Sequence, residues 1–123
     1  MINVIDHIVI GVRDISETQK FYSMFLGEPI SLSEDSLVYQ IGNTKLFLVL
    51  PEKDFILHDK DSGSLNHIAF GSSTLEELKD LNDKLNSAGI LNSGIQIDKY
   101  GGKEFVWFDD PNGNRLEFYL RHA

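Results

Sequence analysis

The amino-acid sequence predicts an α+β fold made of two βαβββ modules, and three observations support this prediction. Shifting the chain by 60 positions aligns the segment Asp-His-Ile-Val-Ile-Gly at residues 6–11 with Asn-His-Ile-Ala-Phe-Gly at residues 66–71. A helix start follows each copy, and three strand-like segments follow each helix. Because the same order of elements follows both copies, an internal duplication explains the match better than chance does.

Each copy of the repeat is a short apolar strand that ends in glycine and leads into a helix. Ser16 and Gln19 have the spacing of a capping box, in which the N-cap hydroxyl and the side chain three residues later bind free backbone amides. The same spacing recurs at Thr74 and Glu77. A glycine follows each helix and suits the left-handed position there. The predicted helices cover about residues 16–26 and 75–88.

Segments that are typical of strands follow each predicted helix. They lie at about residues 29–33, 37–41 and 45–50 in the first module, and 95–99, 104–108 and 115–121 in the second. Hairpin turns are predicted at Gly-Asn, residues 42–43, and at Asp-Pro-Asn-Gly, residues 110–113. The charged stretch 51–64 is interpreted as a linker. We therefore expect one domain over residues 1–123, with modules at about 1–50 and 65–123.

Length and composition indicate a globular protein with a core of its own. The chain has 123 residues, of which 41% are hydrophobic and 24% charged, as is ordinary for one folded domain. The net charge of -8 comes from 19 acidic and 11 basic residues without a basic run, so nucleic acid and membranes are not expected partners. Cysteine is absent, and no leader peptide or membrane span is recognisable, so we expect a cytoplasmic protein.

Alternation along the strands places three potential metal ligands on one face of the sheets. In the first strand Ile8 and Ile10 form the side that packs on the helix, which leaves His7 on the opposite side. The matching strand of the second module repeats this pattern with His67. In the last strand Glu117 alternates with apolar neighbours and therefore also points away from the helix.

Two imidazoles and one carboxylate are a ligand set for a divalent ion of the first transition row. Each of these residues alone would more often be structural or solvated. Together, His7, His67 and Glu117 match the 2-His-1-carboxylate set of non-haem iron and a His₂Glu zinc set. They predict one divalent ion per chain, Fe, Mn, Ni or Zn, with open positions for a substrate. His58 in the linker and His122 near the end do not fit this pattern and are expected to be solvated.

The chain resembles the vicinal oxygen chelate superfamily, the group of glyoxalases, bleomycin-resistance proteins and extradiol dioxygenases. The segments that support the resemblance span nearly the whole chain and lie at residues 6–8, 20–27, 66–70 and 110–117. The resemblance implies a glyoxalase/dioxygenase-like fold, in which paired modules form cup-shaped mixed sheets and a metal chelates vicinal oxygens of a small molecule. His7, His67 and Glu117 fall on the family's ligand positions.

Departures from the family's patterns count against several named activities. Phe47 aligns with Glu117, where lactoylglutathione lyases carry a fourth, carboxylate ligand and methylmalonyl-CoA epimerases carry Gln. Trp107 stands where extradiol dioxygenases have Tyr, and the His that precedes it in them is missing. Fosfomycin-resistance members usually have Thr at the position of Val9 and a basic extension beyond the position of Ala123. The resemblance therefore indicates the family without fixing the reaction.

The predicted function is that of a mononuclear metalloenzyme acting on a small molecule, with the lyase, isomerase, transferase and dioxygenase types left open. The alternative is a non-catalytic small-molecule binding protein of the bleomycin-resistance type. The three-ligand set favours the enzyme, because a sequestering protein does not need it. A homodimer is expected, because a second pair of modules would cover the open sheet edges and helix faces.

Candidate catalytic residues lie near the predicted ligands. Tyr119 and Tyr100 are candidates for acid-base chemistry or for orienting the substrate. Arg115 is a candidate for binding an anionic substrate, and Arg121 is expected at the surface at a strand end. The aromatic residues expected to wall the cavity are Phe47, Phe105 and Trp107.

Overall fold

The computed structural model describes residues 1–121, so that the expectation for His122 lies outside the described residues. The chain forms two compact units, of which the first ends at Leu57 and the second begins at His58. Each unit contains one helix and one four-stranded mixed sheet. The predicted architecture of two βαβββ modules is confirmed.

The first module begins with a strand that pairs in parallel with the last strand of its own sheet. The order across the sheet is β1-β4-β3-β2, and the remaining pairs are antiparallel. Its elements are β1 His7–Gly11, α1 Ile15–Leu26, β2 Ser31–Leu32, β3 Ser36–Ile41 and β4 Thr44–Val49.

The second module repeats this topology with the order β5-β8-β7-β6. Here β5 pairs in parallel with β8, and the other pairs are antiparallel. Its elements are β5 His67–Ser72, α2 Leu75–Ser87, β6 Gln96–Ile97, β7 Glu104–Asp109 and β8 Arg115–Leu120. The same connectivity in both halves agrees with the internal duplication of the sequence.

The helix caps agree with the sequence at one helix and differ at the other. Thr74 caps α2, and its hydroxyl accepts the backbone amide of Glu77 at 3.1 Å, as predicted. The prediction that Ser16 caps α1 is wrong, because Asp14 accepts the amide of Glu17 at 2.7 Å and the helix begins at Ile15. A carboxylate binds the positive end of the helix more strongly than a hydroxyl does, so the earlier acid determines the start.

Alternation along the strands separates a buried face from a face open for function. On β4, Leu46 and Leu48 are at most 2% exposed, and on β8 the same holds for Leu116 and Phe118. The helices cover these faces, since α1 contacts β3 and β4 while α2 contacts β5, β7 and β8. The residues between them in sequence, including Glu117, therefore point away from the helix, as predicted.

The turn before β8 is fixed by a buried carboxylate. Asp110 is 5% exposed and accepts the backbone amides of Asn112 at 2.9 Å and Asn114 at 2.8 Å. Its second oxygen accepts the side-chain amide of Asn114 at 2.9 Å. These bonds hold the hairpin that positions β8 and therefore Glu117.

Among residues 1–121, no helix is long and apolar enough to cross a membrane.

The segment between the modules contains neither helix nor strand, as expected for a linker. His58, which was expected to be a solvated surface residue, is partly exposed. Its ring Nε2 donates to the carbonyl of Leu65 at 2.7 Å, and its backbone amide donates to the carbonyl of Asn112 at 3.1 Å. His58 is therefore a structural residue that ties the linker to the hairpin before β8.

Candidate metal centre and ligand cavity

The second module places two of the predicted metal ligands side by side. The Nε2 atom of His67 lies 3.6 Å from Oε2 of Glu117, and the two side chains are 40% and 17% exposed. They come from β5 and β8, which pair in parallel with Ala69 opposite Glu117. The pair therefore lies on the sheet face that the helix leaves open.

The spacing of this pair suits a shared ion. Two ligand atoms that each lie about 2.1 Å from an ion, at a tetrahedral angle, are roughly 3.4 Å apart. The observed 3.6 Å between the two side chains is close to that value. An imidazole nitrogen and a carboxylate oxygen are donors that Zn, Mn, Fe and Ni accept, so the donor chemistry also fits.

In both modules the residue before the histidine fixes the orientation of the imidazole. Asp6 accepts a hydrogen bond from Nδ1 of His7 at 2.7 Å, and Asn66 accepts one from Nδ1 of His67 at 2.8 Å. Asn66 is itself held, because its amide donates to the carbonyl of Lys60 at 3.1 Å. Because Nδ1 donates its hydrogen in these bonds, the lone pair of Nε2 is available to a metal ion, as in many metal-binding histidines.

The first module has the equivalent of the His67–Glu117 pair with an aromatic ring in place of the carboxylate. Val9 pairs with Phe47 in the first sheet just as Ala69 pairs with Glu117 in the second, which confirms the predicted alignment of Phe47 with Glu117. The rings of His7 and Phe47 have centroids 5.6 Å apart, in an edge-to-face arrangement. This module therefore offers one ligand at the matching site.

No group of three His, Cys, Asp or Glu side chains that could hold a metal ion occurs within either module, as far as residues 1–121 are concerned. His67 and Glu117 belong to one module, and His7 belongs to the other. That all three bind one ion stays a prediction.

A cavity of about 470 Å³ opens beside the pair on the same face of the second sheet. Phe105 lines it, as predicted for a cavity wall, whereas Trp107 is not among the described lining residues. The residues that line the cavity are His67, Ala69, Asp98, Tyr100, Phe105, Glu117 and Tyr119. A small molecule that binds to the pair would therefore contact aromatic rings.

Tyr119 is held in the cavity by a carboxylate from the loop after β6. Its hydroxyl donates to Oδ2 of Asp98 at 2.8 Å. This hydrogen bond, together with partial burial, raises the pKa of Tyr119 above its ordinary value and lowers the pKa of Asp98. At neutral pH the phenol is therefore protonated and the carboxylate ionised, so that Tyr119 can orient a ligand; its role in acid-base chemistry stays a prediction.

Asp98 is the residue of the cavity that sequence reasoning missed. Its carboxylate also accepts the backbone amides of Tyr100 at 3.2 Å and Gly101 at 3.0 Å, so it shapes the loop. A side chain at Gly101 would collide with the Tyr119 hydroxyl. The sequence has an acid three positions before the Gly101-Gly102 pair, which is typical of a turn. Nothing in the sequence connects this acid to a tyrosine 21 positions later.

The other two catalytic candidates lie in different surroundings. Tyr100 lines the cavity and is 87% exposed, and the Lys99 ammonium lies 5.0 Å from the centroid of its ring. Arg115 donates to both oxygens of Asp109 at 2.7 and 3.4 Å and lies 4.1 Å from the ring centroid of Trp107. Arg115 is therefore engaged within its own hairpin and is not among the described lining residues.

Comparison with known proteins identifies similar sequences and folds. The sequence model of the Glyoxalase/Bleomycin resistance protein/Dioxygenase superfamily matches residues 4–118. Metallothiol transferase FosB from Staphylococcus saprophyticus is 32% identical over 122 residues, which cover 97% of this chain and 78% of the relative. A glyoxalase family protein from Enterococcus faecalis has a TM-score of 0.75 and 25% identity, covering 94% of this chain and 96% of that one.

A similar fold has been solved with a metal and a small molecule bound. It is a variant of the fosfomycin resistance protein FosX from Listeria monocytogenes, in complex with Mn(II) and 1S,2S-dihydroxypropylphosphonic acid. Its TM-score is 0.78 and its identity 19%, covering 100% of this chain and 95% of that one.

Proposed function

This chain belongs to the Glyoxalase/Bleomycin resistance protein/Dioxygenase superfamily, and we propose that it is a mononuclear divalent-metal enzyme acting on a small molecule. His67 and Glu117 of the second module and His7 of the first would hold the ion, and the small molecule would bind through two adjacent oxygens. The observation that carries the proposal is the His67–Glu117 pair, with donor atoms 3.6 Å apart beside a cavity of about 470 Å³.

The orientation of the histidines supports this assignment. Asp6 and Asn66 accept hydrogen bonds from Nδ1 of His7 and His67. The lone pair of Nε2 in both imidazoles is therefore available to a metal ion. The same geometry in both modules is unnecessary for a surface histidine, whereas a ligand needs a fixed tautomer and ring angle. Zn, Mn, Fe and Ni suit two imidazoles and a carboxylate better than Ca²⁺ or Mg²⁺ does, because the latter prefer oxygen ligands.

The residues of the chain would bind and orient the substrate. A bound divalent ion would supply Lewis-acid polarisation of a substrate oxygen. Tyr119, held by Asp98, presents its phenol to the cavity and can contact a substrate oxygen through its own oxygen. Phe105 stacks on Tyr119 with ring centroids 6.4 Å apart, so two aromatic rings form this wall. Phe47 in the first module cannot bind a metal, so that the substrate or water would complete the coordination of an ion held by three protein ligands.

Thiol addition is the reaction to test first, because the relative from Staphylococcus saprophyticus is a metallothiol transferase at 32% identity. In such a reaction the sulfur–carbon bond forms as a carbon–oxygen bond of the electrophile breaks, and the thiol proton ends on the released oxygen. Val9 remains a difference from the Thr expected in fosfomycin-resistance members. Transfer to a different electrophile would be consistent with that difference.

The proposal is tested by following loss of free thiol in mixtures of Mn(II)-loaded protein, a low-molecular-weight thiol and candidate electrophiles, starting with fosfomycin. We expect metal-dependent thiol consumption that is lost in Glu117→Gln and retained in the surface variant Lys79→Gln. Tight binding of the electrophile without turnover would instead favour the sequestering alternative. We also propose a cytoplasmic homodimer, and light scattering at micromolar concentration tests the dimer.

A further inference from the structure

Two arginines lie at the ends of β8, with Arg115 as its first residue and Arg121 directly after its last. The two differ in whether their guanidinium groups have partners. Arg115 is committed to Asp109 and to the ring of Trp107. Arg121 is exposed, and its guanidinium makes no hydrogen bond or ion pair with the residues described, 1–121. Because a guanidinium stays charged at all physiological pH values, Arg121 carries a positive charge that no side chain among residues 1–121 pairs with.

The side chain of Arg121 lies on the cavity face of the sheet. Strand alternation places it on the side of Glu117 and Tyr119, which both line the cavity, while Arg121 lies beyond the described lining residues at the end of β8. Its stem crosses Gly71 on the neighbouring strand, where an added Cβ would collide with Cδ of Arg121. The backbone amide of Arg121 donates to the carbonyl of Ser72 at 3.0 Å, which fixes the start of the side chain.

The strand register gives the spacing along the sheet between the stem of Arg121 and Glu117. Gly71 pairs with Tyr119, and Ala69 pairs with Glu117, so the stem of Arg121 lies two residues along the strand from the row of Glu117. Two residues of strand correspond to roughly 7 Å. On the opposite side of Tyr119 stands the carboxylate of Asp98. The two sides of Tyr119 therefore have opposite charges, which would direct an anionic group towards Arg121.

We propose that Arg121 is the specificity-determining residue of the site, and that it binds an anionic group on a ligand whose adjacent oxygens chelate the metal. This inference rests on the proposed function. The ligand class is a small hydroxy acid or diol that has a carboxylate, phosphonate or phosphate some three or four bonds from its chelating oxygens. Gly71 is the positioning residue, because its missing side chain makes room for the stem of Arg121.

Two probes of equal length test this proposal. Both 2-hydroxyglutarate and 2-hydroxypentanoate can chelate a metal through the hydroxyl and the adjacent carboxylate, but only the former has a second carboxylate at the far end. Binding of each to the Mn(II)-loaded protein is measured by calorimetry. We expect the wild type to prefer 2-hydroxyglutarate, and Arg121→Gln to weaken its binding about tenfold or more while leaving 2-hydroxypentanoate within about twofold.

The control is Lys79→Gln, which removes one positive charge from the exposed side of α2. It should leave the preference for 2-hydroxyglutarate intact, whereas an equal loss in this variant would mean that general electrostatics, and not Arg121, sets the preference.

Gly71→Ala should weaken 2-hydroxyglutarate binding when Arg121 is present but have no further effect when it is combined with Arg121→Gln. Additive losses in the double variant would overturn the positioning role of Gly71.

Mn(II) affinity, measured separately in every variant, distinguishes the two levels of the proposal. If the wild type does not bind Mn(II), the proposed function fails together with the inference. If Mn(II) binds and the two probes have equal affinity, or neither probe binds, the proposed function stands and the role of Arg121 is refuted.

Discussion

Replacing Phe47 with glutamate would give the first module the ligand pair that the second module already has. The register of the two sheets is the same, with Val9 opposite Phe47 and Ala69 opposite Glu117. The new carboxylate would therefore lie about as far from the His7 imidazole as Glu117 lies from His67, at 3.6 Å. Phe47→Glu would add a fourth protein ligand where an apolar ring now stands.

The size of the effect follows from one gained and one lost interaction. A hydrogen bond or ligand contact to a charged group contributes about 1.5–3 kcal/mol, which corresponds to about 10- to 150-fold tighter metal binding. The edge-to-face contact between the rings of His7 and Phe47 would be lost, which lowers the free energy of unfolding by about 0.5–1.5 kcal/mol. We expect tighter metal binding and a slightly less stable metal-free protein.

The assay is competition for Mn(II) or Zn(II) with a fluorescent chelator, combined with urea unfolding of the metal-free protein. Phe47→Leu is the matched control, because it removes the ring without adding an oxygen donor and should lose stability without the gain in affinity. The substrate position would be blocked in Phe47→Glu, so activity should fall. Equal metal affinity for the wild type and Phe47→Glu would refute the placement of Phe47 opposite the ion.

Three further predictions concern the parts of the second module that support the site. Asp98→Asn should bring the pKa of Tyr119 back towards its ordinary value near 10, as read from ultraviolet titration; an unchanged titration would mean that the hydrogen bond is not formed in solution. Because the pKa of Asp98 is lowered and that of Tyr119 raised, their bond stabilises the fold at neutral pH. The contribution of this bond to stability should be lost as the pH falls through the folded-state pKa of Asp98 or rises through that of Tyr119. A fluorescent probe attached at Lys99 reports on the loop, and a fluorescence that does not change at either extreme of pH would contradict this prediction. Asp110→Ala removes the acceptor of three hydrogen bonds and should cost about 3 kcal/mol or more in urea unfolding, whereas a loss below about 1 kcal/mol would show that water replaces the carboxylate.

The sequence was sufficient to predict the architecture because its signals are local. The capping position at Thr74, the turn glycines and the alternation along β8 each act within a few residues, and all agree with the structure. The N-cap of α1 was predicted wrongly because Asp14 and Ser16 are both good caps. In that case the structure shows that the carboxylate two positions earlier is used.

The site was predictable only where the duplication aligned residues with one another. The repeat revealed that His7 and His67 are equivalent, and it aligned Phe47 with Glu117. The hydrogen bond from Tyr119 to Asp98 joins residues from different strands and loops, and so does the engagement of Arg115 by Asp109. Such contacts depend on the three-dimensional course of the loop and hairpin, which alternation alone does not specify.

Metal content of protein purified without chelators or metal-affinity columns, and then supplied with Mn(II), Fe(II), Ni(II) or Zn(II), tests the proposed site most directly. We predict one tightly held ion per chain in the wild type, and its loss in both His67→Ala and His7→Ala, because each would remove one of the three proposed protein ligands. Lys79→Gln, which alters an exposed residue of α2, should keep the ion. Metal content that is the same in the wild type, His67→Ala and His7→Ala, or a wild type that holds none of the four ions, would contradict the assignment of these residues as metal ligands.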